Sequence, residues 1–267
     1  LGKEHENSEE QELKEAVNLI EKNKGKMVFF AGNHTSNPSE YLFDDISNIE
    51  KERIKIFLSS LKNQNISLSN LIQKIEKFSY CSLLVVGDTI VDQYIDCNAL
   101  GMSSEAPVIV VQEKESKSFL GGAAIVAAHV KSLGAKCKFI SVAGTDTTNN
   151  FVESELKSLS IDNFIINDEE RPTTFKTRYL VDKQKVFRVS RLNDANISKQ
   201  IEDRIIFQIE KEINSCHGIL ISDFVYGVIT KRVLNEIINL AKKNKKLIFG
   251  DLQCSSQVGD IKKFIDF

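Results

Sequence analysis

The chain has 267 residues, 42% of them hydrophobic and 27% charged, with a formal net charge of −2. That is the composition of a globular protein able to bury a core. A charge so near neutrality excludes a field that would gather nucleic acid or anionic lipid, so neither partner is expected.

In chain order, Leu13, Val17 and Ile20 recur at helical spacing between Glu9 and Asn23, and Gly25 ends the run. A short strand, Lys26 to Ala31, is predicted next, followed by the turn-rich segment Gly32 to Ser39 with His34 in it. From Ile49 to Phe78 the pattern is charged and helical: Ile54, Phe57, Leu58 and Leu61 share one face, and Leu68, Leu71, Ile72 and Ile75 form a second run. Asn63 to Ser67 breaks the period, so two connecting helices with packed apolar faces are predicted.

A buried strand at Leu83–Val86 then runs into Gly87-Asp88 and on to Asp92, and Pro107 to Gln112 is another β-rich run. Phe119-Leu-Gly-Gly-Ala-Ala-Ile-Val-Ala-Ala opens with two glycines and continues as an Ala-rich helix that Leu133-Gly134 closes. Gly121 and Gly122 remove two Cβ atoms where the first amides of a helix are bare, so a hydroxylated or anionic ligand can approach the backbone.

Further on, a strand from Lys138 ends at Gly144 and Asp146, and helix and strand alternate thereafter. Helices are predicted over 149–159, 199–214 and 231–243, and strands over 163–166, 218–222 and 246–250. Such alternation implies right-handed crossovers and a largely parallel sheet flanked by helices, an α/β fold. Ligands in such sheets gather beyond the carboxyl ends of the strands, where Asp88, Asp92, Asp146, Asp223 and Asp251 fall. Two alternating runs, Thr173–Val181 and Lys185–Arg191, flank the polar turn Asp182-Lys-Gln184 and read as a hairpin. On it Lys176, Arg178 and Arg188 share the parity of one face, a clamp for a substrate phosphate or a solvated charged face.

The combination of Val85-Val-Gly-Asp88, Ser103-Ser-Glu-Ala-Pro-Val108, Gly121-Gly-Ala-Ala124 and Ser222-Asp-Phe224 resembles the PfkB, or ribokinase-like, carbohydrate kinases, and within them the heptose-7-phosphate kinase branch. The resemblance covers roughly residues 80 to 267. It implies a ribokinase-like core with a small β lid formed by the segments after Gly87 and by the hairpin. It also implies a kinase that uses ATP and Mg²⁺ on a small-molecule sugar or sugar phosphate, and a homodimer paired through the lid.

Asp92 is implied to take sugar hydroxyls beside the Gly121 and Gly122 amides, with Asp88, Glu105, Lys176, Arg178 and Arg188 on the substrate side. Asp223 and Asp251 are implied on the nucleotide or metal side. The family's catalytic Asp belongs to a Gly-Ala-Gly-Asp motif that does not occur here, so no catalytic residue is expected in this chain and most of the ATP pocket is expected beyond Phe267. Ile125 stands where relatives usually carry Asn, and Tyr226 where the heptose kinases tend to have Lys. A non-catalytic sugar-binding pseudokinase is the alternative. A Rossmann dinucleotide enzyme is a weaker one, because Val86-Gly-Asp-Thr-Ile-Val91 lacks the Gly-x-Gly-x-x-Gly turn.

Residues 1–48 resemble the tail of a cytidylyltransferase-like domain of the kind fused to heptose kinases, without its His-x-Gly-His motif. The expected organisation is a remnant of that domain over 1–48, a helical connector over 49–78 and the N-terminal part of a sugar kinase over 79–267. A chain that starts at Leu1 and stops after a strand reads as a fragment, inactive by itself. Its acidic start is unlike a signal peptide and no apolar run reaches the roughly 18 residues of a membrane span, so a cytoplasmic location is expected. The cysteines, Cys81, Cys97, Cys137, Cys216 and Cys254, show no Cys-x-x-Cys pair and are expected as incidental thiols.

Overall fold

The computed structural model describes residues 46–253 and 261–264. The helix predicted from Glu9, the strand at Lys26, His34, Cys254 and nearly all of the expected transferase remnant lie outside the described residues.

Two connecting helices come first, α1 (Ile46–Asn63) and α2 (Leu68–Glu76). The Ser67 hydroxyl caps α2 by accepting the Asn70 N–H at 3.1 Å. Their apolar faces are less covered than expected, since Ile54, Phe57 and Leu58 remain 55%, 46% and 47% exposed and Leu61 alone of that row is buried.

The core sheet consists of β1 (Ser82–Gly87), β4 (Lys136–Ala143), β5 (Asp162–Asn167), β8 (Gly218–Asp223) and β9 (Leu247–Leu252), all parallel, in the order β5-β4-β1-β8-β9. The helices between them are α3 (Gly122–Ser132), α4 (Thr147–Ser158), α5 (Lys199–Glu212) and α6 (Lys231–Lys243). Successive side chains of a strand point to opposite faces, and the core divides accordingly. Leu84, Val86, Ile140 and Ile219 pack with Ile205 and Ile209 of α5 and Ile237 of α6. Val85 and Phe139 pack on the other face with Ala123, Ala127 and Val152 of α3 and α4. Alanines on α3 let that helix lie close to the sheet, while Gly134, at φ +94°, ends it as expected.

From β1 the chain adds strands on one side, β4 then β5, and later returns to the other side with β8 and β9. The direction reverses between β1 and β8, so the crevice for a ligand opens at the carboxyl ends of these two strands.

The lid is a second sheet, β3-β2-β6-β7, built from β2 (Thr89–Met102), β3 (Ile109–Gly121), β6 (Thr174–Val181) and β7 (Gln184–Arg191). Strand β2 pairs antiparallel with β3 and parallel with β6, and β6 pairs antiparallel with β7. The hairpin turn is shorter than predicted: Asp182 and Lys183, both at positive φ (49° and 67°), make a two-residue connection of the primed kind. Strand β3 is far longer than its apolar part, because the polar run Glu113–Ser118 continues the pairing with β2.

Candidate functional site

Asp88 is the one residue between β1 and β2, so the lid leaves the core sheet at the ligand crevice itself. Four positions along β2, Asp92 faces β3 on one side and β6 on the other. A Cβ built on Gly121 would lie 2.4 Å from Asp92 Oδ2, so the carboxylate fills the space that glycine leaves. Gly122 adopts φ +58°, and a Cβ there would meet the Asp88 carbonyl oxygen at 2.2 Å. Gly121 therefore lies beside Asp92, and Gly122 beside the main chain of Asp88.

The amides at the helix start are less bare than expected. The Ala123 N–H donates to the Asp88 carbonyl at 2.8 Å, so the residue joining β1 to β2 satisfies one of them.

Register places the cations on the same face as Asp92. Asp92 pairs with Lys176 and Tyr94 with Arg178 across β2 and β6, while Lys176 pairs with Ser190 and Arg178 with Arg188 across β6 and β7. Alternate residues share a face, so Asp92, Lys176, Arg178 and Arg188 lie together. Arg178 donates to Asp92 Oδ1 at 2.5 Å, its guanidinium lies 5.2 Å from the Tyr94 ring, and Tyr94 meets Phe119 edge to face. Both members of the pair are mostly buried, at 16% and 23% side-chain exposure.

Lys176 differs from a surface lysine. It is 2% exposed, and its ammonium lies over the rings of Tyr226 and Phe224, 4.8 and 5.8 Å from their centroids. Among the described residues no hydrogen bond or ion pair engages that ammonium. Aromatic faces attract a cation, but they do not replace the acceptors it gives up on burial.

Asp88 is not a substrate ligand in this arrangement. Its side chain is buried at 1% exposure, and Oδ2 accepts from the amides of Phe224 (2.7 Å) and Tyr226 (3.4 Å) while Oδ1 accepts from that of Val228 (3.1 Å). Burial, with the nearby charge of Asp223 as the second cause, pushes its carboxyl up to about 6 against the pull of these amides.

Glu105 is not brought to the site within this chain. It occupies the turn beyond Met102, and ten strand residues at about 3.3 Å each carry that turn roughly 30 Å from Asp92. There its amide donates to Ser103 Oγ.

Asp223 and Asp251 are likewise not joined. Asp223 pairs with Leu252 and Ser222 with Asp251, so the one-residue offset sends the two carboxylates to opposite faces of the core sheet. Asp223 is ion-paired with Lys263 and accepts the Val225 N–H at 2.9 Å, and Asp251 accepts from Gln253 at 2.8 Å. Among the described residues no three His, Cys, Asp or Glu side chains gather as a ligand set.

Three contributors were not singled out from sequence. Lys263 neutralises Asp223 from 40 residues away, and Arg171 donates to the carbonyls of Tyr226 (3.1 Å) and Ala195 (2.8 Å), neither partner being local. Tyr94 was findable, because it lies two residues from Asp92 and so shares its face. Asp146, noted as a strand-end acid, caps α4 through the Asn149 N–H and also accepts from the Thr173 amide at 3.0 Å. Burial acts to raise its pKa, but the Thr173 and Asn149 hydrogen bonds, with Arg191 nearby, outweigh that and hold it below the ordinary aspartate range.

Fold and site together define a ribokinase-like α/β protein with an acid- and cation-bearing face where the lid meets the core. The model of the pfkB family of carbohydrate kinases matches residues 82–265. The chain is 34% identical over 171 residues to the "Bifunctional protein HldE" of Aliarcobacter butzleri, covering 64% of this chain and 36% of that protein. It is 36% identical over 170 residues to the protein of the same name from Helicobacter pylori (strain G27), covering 63% and 37%. Among solved structures it is similar to ribokinase from Giardia lamblia, with TM-score 0.53 and 13% identity over 68% of this chain and 58% of that one. Phosphofructokinase-2 from Escherichia coli in complex with fructose-6-phosphate gives TM-score 0.50 and 14% identity over 66% and 56%.

The chain belongs to the pfkB family of carbohydrate kinases. It spans little more than a third of the length of the two curated relatives. Among the described residues no helix is long and apolar enough to cross a membrane.

Proposed function

We propose that this chain supplies the sugar-binding half of an ATP-dependent kinase whose acceptor is a sugar already carrying a phosphate, a heptose phosphate or a close analogue. One observation carries the reading: the Asp92 carboxylate, suited to taking neighbouring hydroxyls in charge-assisted bonds, shares a sheet face with the buried Lys176, which has no anionic partner among the described residues, and with Arg178 and Arg188. A polyol lies against Asp92 and Gly121, and its phosphate reaches toward Lys176. Kinship with proteins called HldE, and with a phosphofructokinase held with fructose-6-phosphate, supports a phosphorylated acceptor.

Phosphoryl transfer proceeds mainly through positioning and charge stabilisation. The part of it assigned to these residues is to hold and orient the acceptor. ATP, with Mg²⁺, is the donor by family membership, and the catalytic base is sought in a Gly-Ala-Gly-Asp motif outside this sequence. The setting is the cytoplasm. Two copies pair through the lid, a reading supported by the exposed Phe187 and Val189 on β7.

The test is an ADP-release screen of the complete gene product over sugars and sugar phosphates, with Asp92→Ala as control. Turnover on a phosphorylated acceptor that falls at least about 100-fold in kcat/KM in the variant supports the assignment. An undiminished rate in Asp92→Ala removes that residue from the site.

A further inference from the structure

The segment Phe224–Val228 connects β8 to the start of α6, and it carries the two rings over which the Lys176 ammonium lies. The conformation of this segment is not one the backbone relaxes into by itself. Val225, a β-branched residue, is at φ +61° and Gly227 at φ +88°. Two carboxylates hold it from within: Asp88 accepts from the amides of Phe224, Tyr226 and Val228, and Asp223 accepts from the amide of Val225, so Asp88 supplies three of these four anchors. The same residue reaches the polyol side through its main chain, accepting the Ala123 N–H with its carbonyl and donating its own N–H to the Ser222 carbonyl at 3.2 Å.

We propose that Asp88 is a positioning residue for the acceptor phosphate: it acts through the 224–228 segment, setting the aromatic floor beneath Lys176, and does not touch the substrate. The inference rests on the reading that Lys176 holds a phosphate. An ionised carboxylate presents acceptors only, and here it meets three donors. Asn at this position turns an NH₂ group toward amide N–H groups, so the segment loses at least one anchor and gains a donor facing a donor. Burial separates this role from ligand binding, because a side chain 1% exposed beneath a closed segment offers nothing to a sugar. Asp223 faces the Asp88 carboxylate from the end of β8 and is itself paired with Lys263, and Arg171 holds the outer side of the segment through the Tyr226 carbonyl.

Inorganic phosphate titrated into the 267-residue chain, followed by ³¹P NMR, provides the probe. Wild type, Asp88→Asn, Lys176→Met and the double variant are compared at fixed pH. The expected result is a dissociation constant at least ten-fold higher in Asp88→Asn, with the double variant no weaker than Lys176→Met alone, since both changes remove the same interaction. If Asp88→Asn binds phosphate as wild type does while Lys176→Met does not, the positioning role is overturned and the phosphate reading stands. If wild type shows no binding, or Lys176→Met binds as well as wild type, the phosphate reading fails and this inference with it. Should Asp88→Asn not fold, Arg171→Met loosens the same segment from outside. A ten-fold weaker affinity there supports the role of the segment, and an unchanged affinity overturns it.

Discussion

Arg178 holds Asp92: the guanidinium donates to the carboxylate while lying against the Tyr94 ring. On the proposed reading an acceptor sugar shares Asp92 with this cation, and the ion pair keeps the carboxylate beside Gly121.

Removing either partner leaves the other charge half-buried and alone. Asp92→Asn and Arg178→Met are each expected to destabilise the fold by about 1–3 kcal/mol. The double variant is expected to lose less than both together by about 1 kcal/mol or more. Urea denaturation of the four proteins at pH 7 measures this, and strict additivity argues against the pair.

The two glycines are expected to fail differently. Gly122→Ala forces a left-handed backbone on a Cβ that meets main chain at 2.2 Å, and a loss of about 2–4 kcal/mol is expected. At Gly121 the backbone is extended (φ −133°), and the obstructing atom is the movable tip of Asp92. Gly121→Ala is therefore expected to lose only about 1 kcal/mol of stability but to shift the Asp92 carboxylate and raise KM for the acceptor about ten-fold. Comparable melting temperatures for the two variants contradict this.

Lys176→Met is expected to be tolerated, with stability equal to or up to about 1 kcal/mol above wild type, because an ammonium for which no acceptor lies among the described residues gives way to an apolar chain of similar length. A chemical denaturation curve moved to lower denaturant in the variant opposes this.

Two aspartates are expected to give opposite pH dependences. The carboxyl of Asp88 is raised from 3.8 to about 6. Its contribution is thus complete below about 3.8 and is lost as pH climbs through 6, a decline of order 2–3 kcal/mol. Asp146 is lowered, so its contribution is present above the ordinary aspartate value and is lost as pH falls through its folded value. Stability measured from pH 3 to 7 is expected to lose its fall between pH 4 and 6 in Asp88→Asn and to lose part of its acid limb in Asp146→Asn. A profile unchanged in Asp88→Asn would count against the raised carboxyl assigned to that residue.

The fold was legible in the sequence wherever burial on both sides of a strand leaves an uninterrupted apolar run, as in Leu83–Val86, or where a turn residue marks an end, as at Gly134. The β6–β7 hairpin was legible from alternation and the polar turn, and the common face of Lys176, Arg178 and Arg188 from parity alone. The outer half of β3 was not, because Glu113–Ser118 is solvated and bears no apolar stripe to betray its pairing with β2. The different fates of the acids were hidden for another reason. Strand-end position marks Asp88, Asp92, Asp223 and Asp251 alike, and only tertiary contacts assign one to backbone amides, one to Arg178 and one to Lys263. The burial of Lys176 was equally invisible, since it depends on rings contributed by a segment some 50 residues later.

Strand β2 leaves the core through Asp88 alone and β3 enters α3 with no spacer, so the root of the lid has no slack. Farther out, the β2–β3 pairing is interrupted twice, between Asp96 and Cys97 and between Ala99 and Gly101. Irregularities of this kind are where a ribbon bends, so flexing is confined to the outer half and the inner half stays continuous with the core. The turn around Ser103–Val108 is therefore the natural attachment point for a fluorophore or an inserted affinity tag, reporting on the lid's outer end while leaving the inner strands undisturbed.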